Sequence, residues 1–447
     1  MNRVPLLGHA GLDKVFAWRP EGPATVRRFL AEATALAACL PPGRHLLNVC
    51  QDRYHFAVGL AAGLLSGRTS LQPSSHSPET LRQIHAACPD ACCLCDGEFA
   101  SGDLPRLDFP ALVAVDPEKV AKIPEIPADH PAIQVYTSGS TGQPLPYRKS
   151  WGSLVRNARA EASRLNVAGH AIVGTVPAQH MYGFESTVLL ALHGNAPFWS
   201  GKPFYPQDIV AALAAVPQPR LLVSTPFHLA ALLESGLELP AVDLLLSATA
   251  PLSEELAAAA ESRFQAPLME IYGCTESGQI ASRRTTASRA WELFADVGLV
   301  QEGGQTFACG GHVEGRPALS DVIEILADGR FLLHGRNADL VNIAGKRTSL
   351  AYLNHQIASI AGVKDAAFFL PDEGAAAGIT RLCAFAVAPG LKAPALLQAL
   401  RERIDPIFLP RPLFLVEHLP RNGVGKLPLA ALQALYAASA GNAHGRR

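Results

Sequence analysis

Apolar positions along the chain follow two alternating rhythms. From Thr25 to Leu40 they recur at helical spacing (Val26, Phe29, Leu30, Ala33, Leu36), and His45–Cys50 is a short apolar run of strand length. A second helical pattern covers Tyr54–Leu65, a strand Thr69–Gln72, and a further helix Pro78–Ala87. Pro117–Pro131, with Pro124 and Pro127 inside it, reads as an extended surface connection. The alternation then resumes, with strands at Ile133–Tyr136, Ala171–Val176, Arg220–Ser224, Leu244–Ala248 and Leu268–Tyr272 separated by helical patterns. Short strands alternating with helices predict parallel sheets covered on both faces.

Asp328-Gly329, between Val322–Leu326 and Phe331–His334, predicts a hairpin. After Arg336 the texture changes. A helix near Leu350–Ile360, strands at Lys364–Leu370 and Arg381–Val387, a helix at Ala393–Ile404 and a strand at Leu413–Val416 suit one small core. The chain therefore reads as an α/β protein. A large N-terminal domain of helix-covered sheets takes residues 1–336, and a small C-terminal α+β domain takes residues 337–447, with the boundary at Arg336–Asp339. Gly441–Arg447 reads as a frayed tail, and no internal repeat is present.

Charge removes some partners. The chain carries 38 Lys+Arg against 39 Asp+Glu, a net charge of -1, so nothing global asks for nucleic acid or an acidic lipid surface. With 49% hydrophobic and 17% charged residues, wholesale disorder is excluded. No apolar run approaches the roughly 18 residues of a membrane span. Ser186–Leu192 is typical of what occurs, and Met1–Lys14 is broken by charge, Pro and Gly before any signal-peptide core forms. A cytoplasmic protein with no membrane span is the expectation, and nine cysteines suit reduced intracellular thiols. Cys88, Cys92, Cys93 and Cys95 lack the separated pairs of a zinc site, and Ala91–Cys95 reads as a short buried strand bounded by turns.

Four ordered segments carry candidate chemistry. Val135-Tyr136-Thr137-Ser138-Gly139-Ser140-Thr141-Gly142-Gln143-Pro144 runs from a strand through hydroxyls and glycines toward a helix beginning near Ser150, a good cradle for phosphate. It is neither a Walker A loop nor a G-x-S-x-G elbow. Ile271-Tyr272-Gly273-Cys274-Thr275-Glu276 ends a strand with an aromatic, a glycine, a hydroxyl and a carboxylate. Asp321 and Gly335-Arg336-Asn337-Ala338-Asp339 flank the hairpin, and Leu419-Pro420-Arg421-Asn422-Gly423-Val424-Gly425-Lys426 puts a lysine on a glycine-bearing loop.

With these motifs in this order, the chain resembles the adenylate-forming superfamily of acyl-CoA synthetases, adenylation domains and luciferases over nearly its whole length. The resemblance implies ATP-dependent activation of a carboxylic acid to acyl-AMP, then transfer to a thiol of CoA or of the phosphopantetheine arm of an acyl carrier protein. It implies that Thr137, Ser138, Gly139, Ser140, Thr141 and Gly142 hold the triphosphate, Thr275 the α-phosphate and Glu276 a Mg²⁺ ion. Tyr272 would stack on adenine, Thr249 and Ala250 (with Ala248 and Pro251) would line the base, and Asp321 and Arg336 would serve the ribose. Lys426 would be the adenylation lysine on a mobile lid, leaving as the face around Ala344–Arg347 enters for thiol transfer.

The chain departs from that pattern in three places. Leu145 follows Pro144 where a lysine is usual, so Arg148 or Lys149 would have to substitute; Ala338 occupies the hinge position, and Leu429 stands where an arginine often follows the catalytic lysine. The short spacing and His180-Met181-Tyr182-Gly183-Phe184-Glu185 look most like synthetases of bacterial aryl polyene and xanthomonadin-type pigment pathways. This implies an aromatic acid such as a hydroxybenzoate or cinnamate, with His180 closing the acyl pocket. The rival readings are a fatty or medium-chain acyl-CoA ligase and a non-catalytic acyl- or nucleotide-binding paralogue.

Overall fold

The computed structural model of the protein describes residues 2–73, 76, 78–109, 115–138, 144–336, 340–343, 346–371, 382–422 and 425–444. It divides into two compact units, residues 1–302 with 307–318, and residues 303–306 with 319–447. The fold is α/β, as the alternation predicts.

Two large sheets, of six and nine strands, form the body of the first unit. In the first sheet, His45–Asn48 lies between Thr69–Gln72 and Ala91–Cys95, all parallel; Pro131–Ser138 and Arg106–Asp108 extend it in parallel on either side. Cys92, Cys93 and Cys95 are buried in Ala91–Cys95, which packs as the apolar strand expected of it. In the second sheet, Leu268–Cys274, Leu244–Ser247, Arg220–Ser224, Ala171–Gly174, Phe198–Trp199 and Val15–Trp18 run parallel in that order. Gly278–Arg284 folds back antiparallel beside Leu268–Cys274.

Helix Arg53–Leu65 is apolar nearly all round, which is the signature of a buried helix. It touches the first sheet, while the buried Arg53 guanidinium donates to the carbonyls of Gly174, Val176, Trp199 and Gly201 on the second, at 2.9–3.1 Å. Helix Trp151–Leu165 likewise touches strands of both sheets. Asp52 caps the first of these helices and Ser150 the second, each accepting N–H bonds from the first turn.

The helix expected after the phosphate-loop motif does begin at Trp151, but a strand precedes it. Pro144–Ser150 pairs antiparallel with Pro131–Ser138 at the sheet edge. Pro144 and Pro146 mask this strand in the sequence, yet an edge strand tolerates proline at alternate positions because every second N–H points away from the sheet.

In the second unit a three-stranded sheet has Cys383–Val387 between Asp365–Phe369 (antiparallel) and Leu413–Leu415 (parallel). Side chains alternate between its two faces. Ala366, Phe368, Ala384 and Ala386 pack with helices Leu350–Ala358 and Ala393–Arg401, whereas Ala367, Phe369, Cys383 and Phe385 pack with Leu432 of helix Leu429–His444. That last helix replaces most of the frayed tail expected over 441–447. Its alanine-rich sequence favours helix, and Leu432, Leu435 and Tyr436 lie at helical spacing against the sheet. The hairpin Asp321–Ile325/Phe331–Arg336 forms as predicted. Helix Leu350–Ala358 touches its second strand, so the hairpin groups with the second unit rather than ending before residue 337.

Candidate active site

In parallel α/β sheets, ligand sites gather at the carboxyl ends of the strands. Strand Leu244–Ser247 leaves its sheet into Ala248, Thr249 and Ala250, and Thr249 holds φ +80. For a β-branched residue this conformation is a genuine outlier, costing on the order of 1–3 kcal/mol, and such strain concentrates at functional sites.

The neighbouring strand Leu268–Cys274 enters a tight hairpin. Cys274 pairs with Gly278 across Thr275, Glu276 and Ser277, and Gly278 at φ +75 closes the three-residue connection. Ser277 Oγ accepts the Cys274 N–H at 3.3 Å and donates to the Gly278 carbonyl at 2.8 Å, fixing the turn from inside. A Cβ at position 273 would lie 2.2 Å from the Gly278 oxygen, so the Tyr-Gly step is what lets the two strands close here. The half-buried Tyr272 ring packs 5.6 Å from the Trp291 ring. Trp291 in turn carries the Arg283 guanidinium at 4.4 Å, and Arg283 pairs with Glu270 at 2.7 Å.

Lys149 comes from the return strand of the phosphate-loop hairpin. It is buried, and its Nζ donates to the Glu276 carbonyl at 3.0 Å. Thr137 and Ser138 end strand Pro131–Ser138, and the Ser138–Pro144 pair closes the hairpin around the loop. Gly139, Ser140, Thr141 and Gly142 lie outside the described residues. The lysine is thus a physical link between the phosphate-loop hairpin and the Thr275–Glu276 turn.

Behind the turn lie two buried carboxylates. Glu185 Oε1 accepts the Asn157 amide at 2.7 Å, and Glu161 Oε1 accepts the Ser186 hydroxyl at 2.7 Å. Burial pushes Glu161 up to about 8, with the neighbouring Glu185 adding to the rise. Burial pushes Glu185 up to about 7, held back by the Lys149 charge. Glu185 and Ser186 lie on a π-helical turn, Phe184–Leu189, a rare geometry that is frequent at functional sites. His180 caps the short helix Met181–Gly183 that leads into this turn, its Nδ1 accepting the Tyr182 N–H at 3.3 Å.

The second unit holds the remaining candidates. Asp321 and Arg336 are direct partners across the hairpin. Lys426 is exposed, and its loop is pinned by backbone and side chain together. Arg421 forks onto both oxygens of Asp365 at 2.7 and 2.6 Å and also donates to the Gly425 carbonyl at 2.9 Å. Asn422 Oδ1 accepts the Lys426 N–H at 2.9 Å, and the Lys426 carbonyl accepts the Asn422 N–H at 2.8 Å. Gly423, Val424 and Ala338, at the expected hinge position, lie outside the described residues.

The structure therefore brings Thr249, Ala250, Tyr272, Thr275 and Glu276 to the ends of two adjacent strands of the first unit. It sets Asp321, Arg336 and Lys426 on the second. The sequence reading passed over Glu161 and named Glu185 only within the His180–Glu185 motif, with no role of its own. Glu185 left a signal, being a lone carboxylate in the apolar run Phe184–Leu192, whereas Glu161 is masked by the arginines of its own helix, Arg156, Arg159 and Arg164.

A profile of the AMP-binding enzyme family matches residues 44–306, well over half of the chain. The chain belongs to that family. A 4-coumarate–CoA ligase of Rhodobacter capsulatus is 28% identical over 268 residues, which cover 58% of this chain and 65% of that protein. An isonitrile lipopeptide synthase of Mycobacterium tuberculosis is 27% identical over 461 residues, covering 90% of this chain but only 18% of the much longer synthase. The chain thus matches less than two thirds of the length of either relative. The o-succinylbenzoate CoA synthetase of Bacillus subtilis, solved with its acyl-adenylate intermediate, superposes with a TM-score of 0.79 at 18% identity, over 97% of this chain and 99% of that one. It shares the fold.

Proposed function

We propose that the protein activates an aromatic carboxylic acid, hydroxybenzoate- or cinnamate-like, with ATP. The acid's carboxylate oxygen attacks the α-phosphorus, the bond to the β-phosphate oxygen breaks, and acyl-AMP and pyrophosphate result. A thiol of CoA or of an acyl carrier protein then takes the acyl group and AMP leaves. The observation that carries this reading is the Lys149–Glu276 bond, which joins the hairpin flanking the glycine- and hydroxyl-rich segment to a turn bearing the Thr275 hydroxyl and the Glu276 carboxylate. Attack of one anion on another needs such a convergence of donors and positive charge.

In this reading the loop 137–142 and Thr275 donate to the phosphates, Thr249, Ala250 and Tyr272 form the adenine seat, and Asp321 with Arg336 serves the ribose. A single carboxylate at the turn, Glu276, suits Mg²⁺, which takes one or two carboxylates and fills its other positions with phosphate and water oxygens. Bound there, the ion would neutralise phosphate charge. His180, beside the π-helical turn, closes the acyl pocket. The C-terminal domain, 337–447, turns about the Ala338 hinge between half-reactions, presenting Lys426 in the first and the Ala344–Arg347 face in the second. The relatedness to a 4-coumarate–CoA ligase supports an aromatic acid. The likeness at His180–Glu185 supports work in an aryl-polyene-type pigment pathway in the cytoplasm. A pyrophosphate-release screen over benzoates, cinnamates and fatty acids, with CoA and holo carrier protein as acceptors, tests the reading. Turnover confined to fatty acids would remove the aromatic preference.

A further inference from the structure

Lys149 occupies a costly position. A buried ammonium loses its hydration, and a methionine would fill the same volume without that loss. Among the described residues the Lys149 Nζ makes one hydrogen bond, to the Glu276 carbonyl at 3.0 Å, while its charge also acts on the buried Glu185 behind the turn. The backbone is shaped to deliver it there. Strand register shifts between Lys149 and Ser150, and irregularities of this kind re-aim side chains next to active sites. Ser150 is itself held, its N–H donating to Glu314 Oε2 at 3.0 Å while its side chain caps the following helix. The far side of the turn is equally fixed: a Cβ on Gly278 would lie 2.9 Å from Glu185 Oε1 and 3.1 Å from Asn157 Nδ2. The turn rests on this buried pair from behind and is gripped by Lys149 from the side.

We infer that Lys149 is a positioning residue, not a phosphate ligand, that sets the Thr275–Glu276 turn relative to the hairpin Pro131–Ser138/Pro144–Ser150 and thereby sets the affinity for Mg·ATP. The inference rests on the acid-activating reading above. It also accounts for the missing lysine at position 145: this chain spends a cation four residues later on holding the turn.

The test is calorimetric titration of the full-length protein with ATP in the presence and absence of Mg²⁺, and with AMP, for wild type, Lys149→Met, Lys149→Gln and Lys149→Arg. Loss of a charged hydrogen bond to the turn predicts about tenfold weaker Mg·ATP binding by Lys149→Met. Mg²⁺ should then improve ATP affinity far less than in wild type. AMP, which keeps the α-phosphate that Thr275 would hold but lacks the metal-bearing phosphates, should lose less, within about threefold. Lys149→Gln keeps a donor to the carbonyl and covers the case in which the methionine variant does not fold; Lys149→Arg should recover part of the Mg²⁺ effect. A wild-type Mg²⁺ effect retained in both neutral variants overturns the inference while leaving the acid-activating reading standing. Equal losses of Mg·ATP and AMP affinity in both neutral variants, with a lowered melting temperature, would make Lys149 merely structural. Wild-type protein that binds neither nucleotide removes the reading itself, and the inference with it.

Discussion

Replacing Glu161 by glutamine should reverse its effect on stability between pH 5 and pH 8. The carboxyl is fully buried on helix Trp151–Leu165, accepts the Ser186 hydroxyl at 2.7 Å and faces the Gln279 amide at 3.0 Å. Burial raises it from 4.5 to about 8 in the folded chain. Between pH 5 and pH 8 the unfolded chain therefore releases a proton that the folded chain keeps, and stability falls as pH rises. At 1.36 kcal/mol per unit, that single carboxyl removes about 3–4 kcal/mol of stability across the interval. Glutamine has no proton to release. The variant should be slightly less stable than wild type at pH 5, where an amide replaces a well-bonded carboxylic acid, and more stable by about 2–3 kcal/mol at pH 8. All four tryptophans, Trp18, Trp151, Trp199 and Trp291, lie in the first unit, so urea unfolding followed by tryptophan fluorescence reports on that unit. Parallel stability curves for the two proteins over this range would refute the reasoning.

Two further outcomes follow from the second unit. Lys426→Ala should lose about 3–4 kcal/mol of transition-state stabilisation in adenylation, the scale of one electrostatic donor, yet still transfer an acyl group from supplied acyl-AMP to a thiol; equal loss in both half-reactions would deny it the adenylation role. Arg421→Gln breaks the fork onto Asp365 that pins the Lys426 loop, and should slow adenylation by about tenfold while sparing thiol transfer; unchanged adenylation in stopped-flow pyrophosphate release would show that the loop is held elsewhere.

Regular alternation made most of the fold legible. Pro78–Ala87 falls where its pattern places it, because Leu81 and Ile84, at helical spacing, are its buried apolar positions. The strand Pro144–Ser150 was hidden by its prolines, which only an edge position makes acceptable. Gly278–Arg284 was hidden by its polar sequence, since Gln279 and Ser282 are buried in it and mimic a loop. In the site, the motif residues were readable because each sits on or next to a turn whose glycines and hydroxyls leave a local mark. Glu161, Glu185 and Lys149 act through partners far away in the chain, and no local pattern announces a contact such as Lys149 with Glu276.

The central claim is that ATP is cleaved between the α- and β-phosphates at the expense of a carboxylic acid. The most direct measurement is ³¹P NMR of the products when the full-length protein, Mg·ATP and an acceptable aromatic acid are incubated with hydroxylamine to trap the activated acyl group. The account predicts AMP and pyrophosphate in equal amounts, matched by acyl hydroxamate and dependent on the acid. ADP and inorganic phosphate, or AMP release that continues unchanged without the acid, would contradict it.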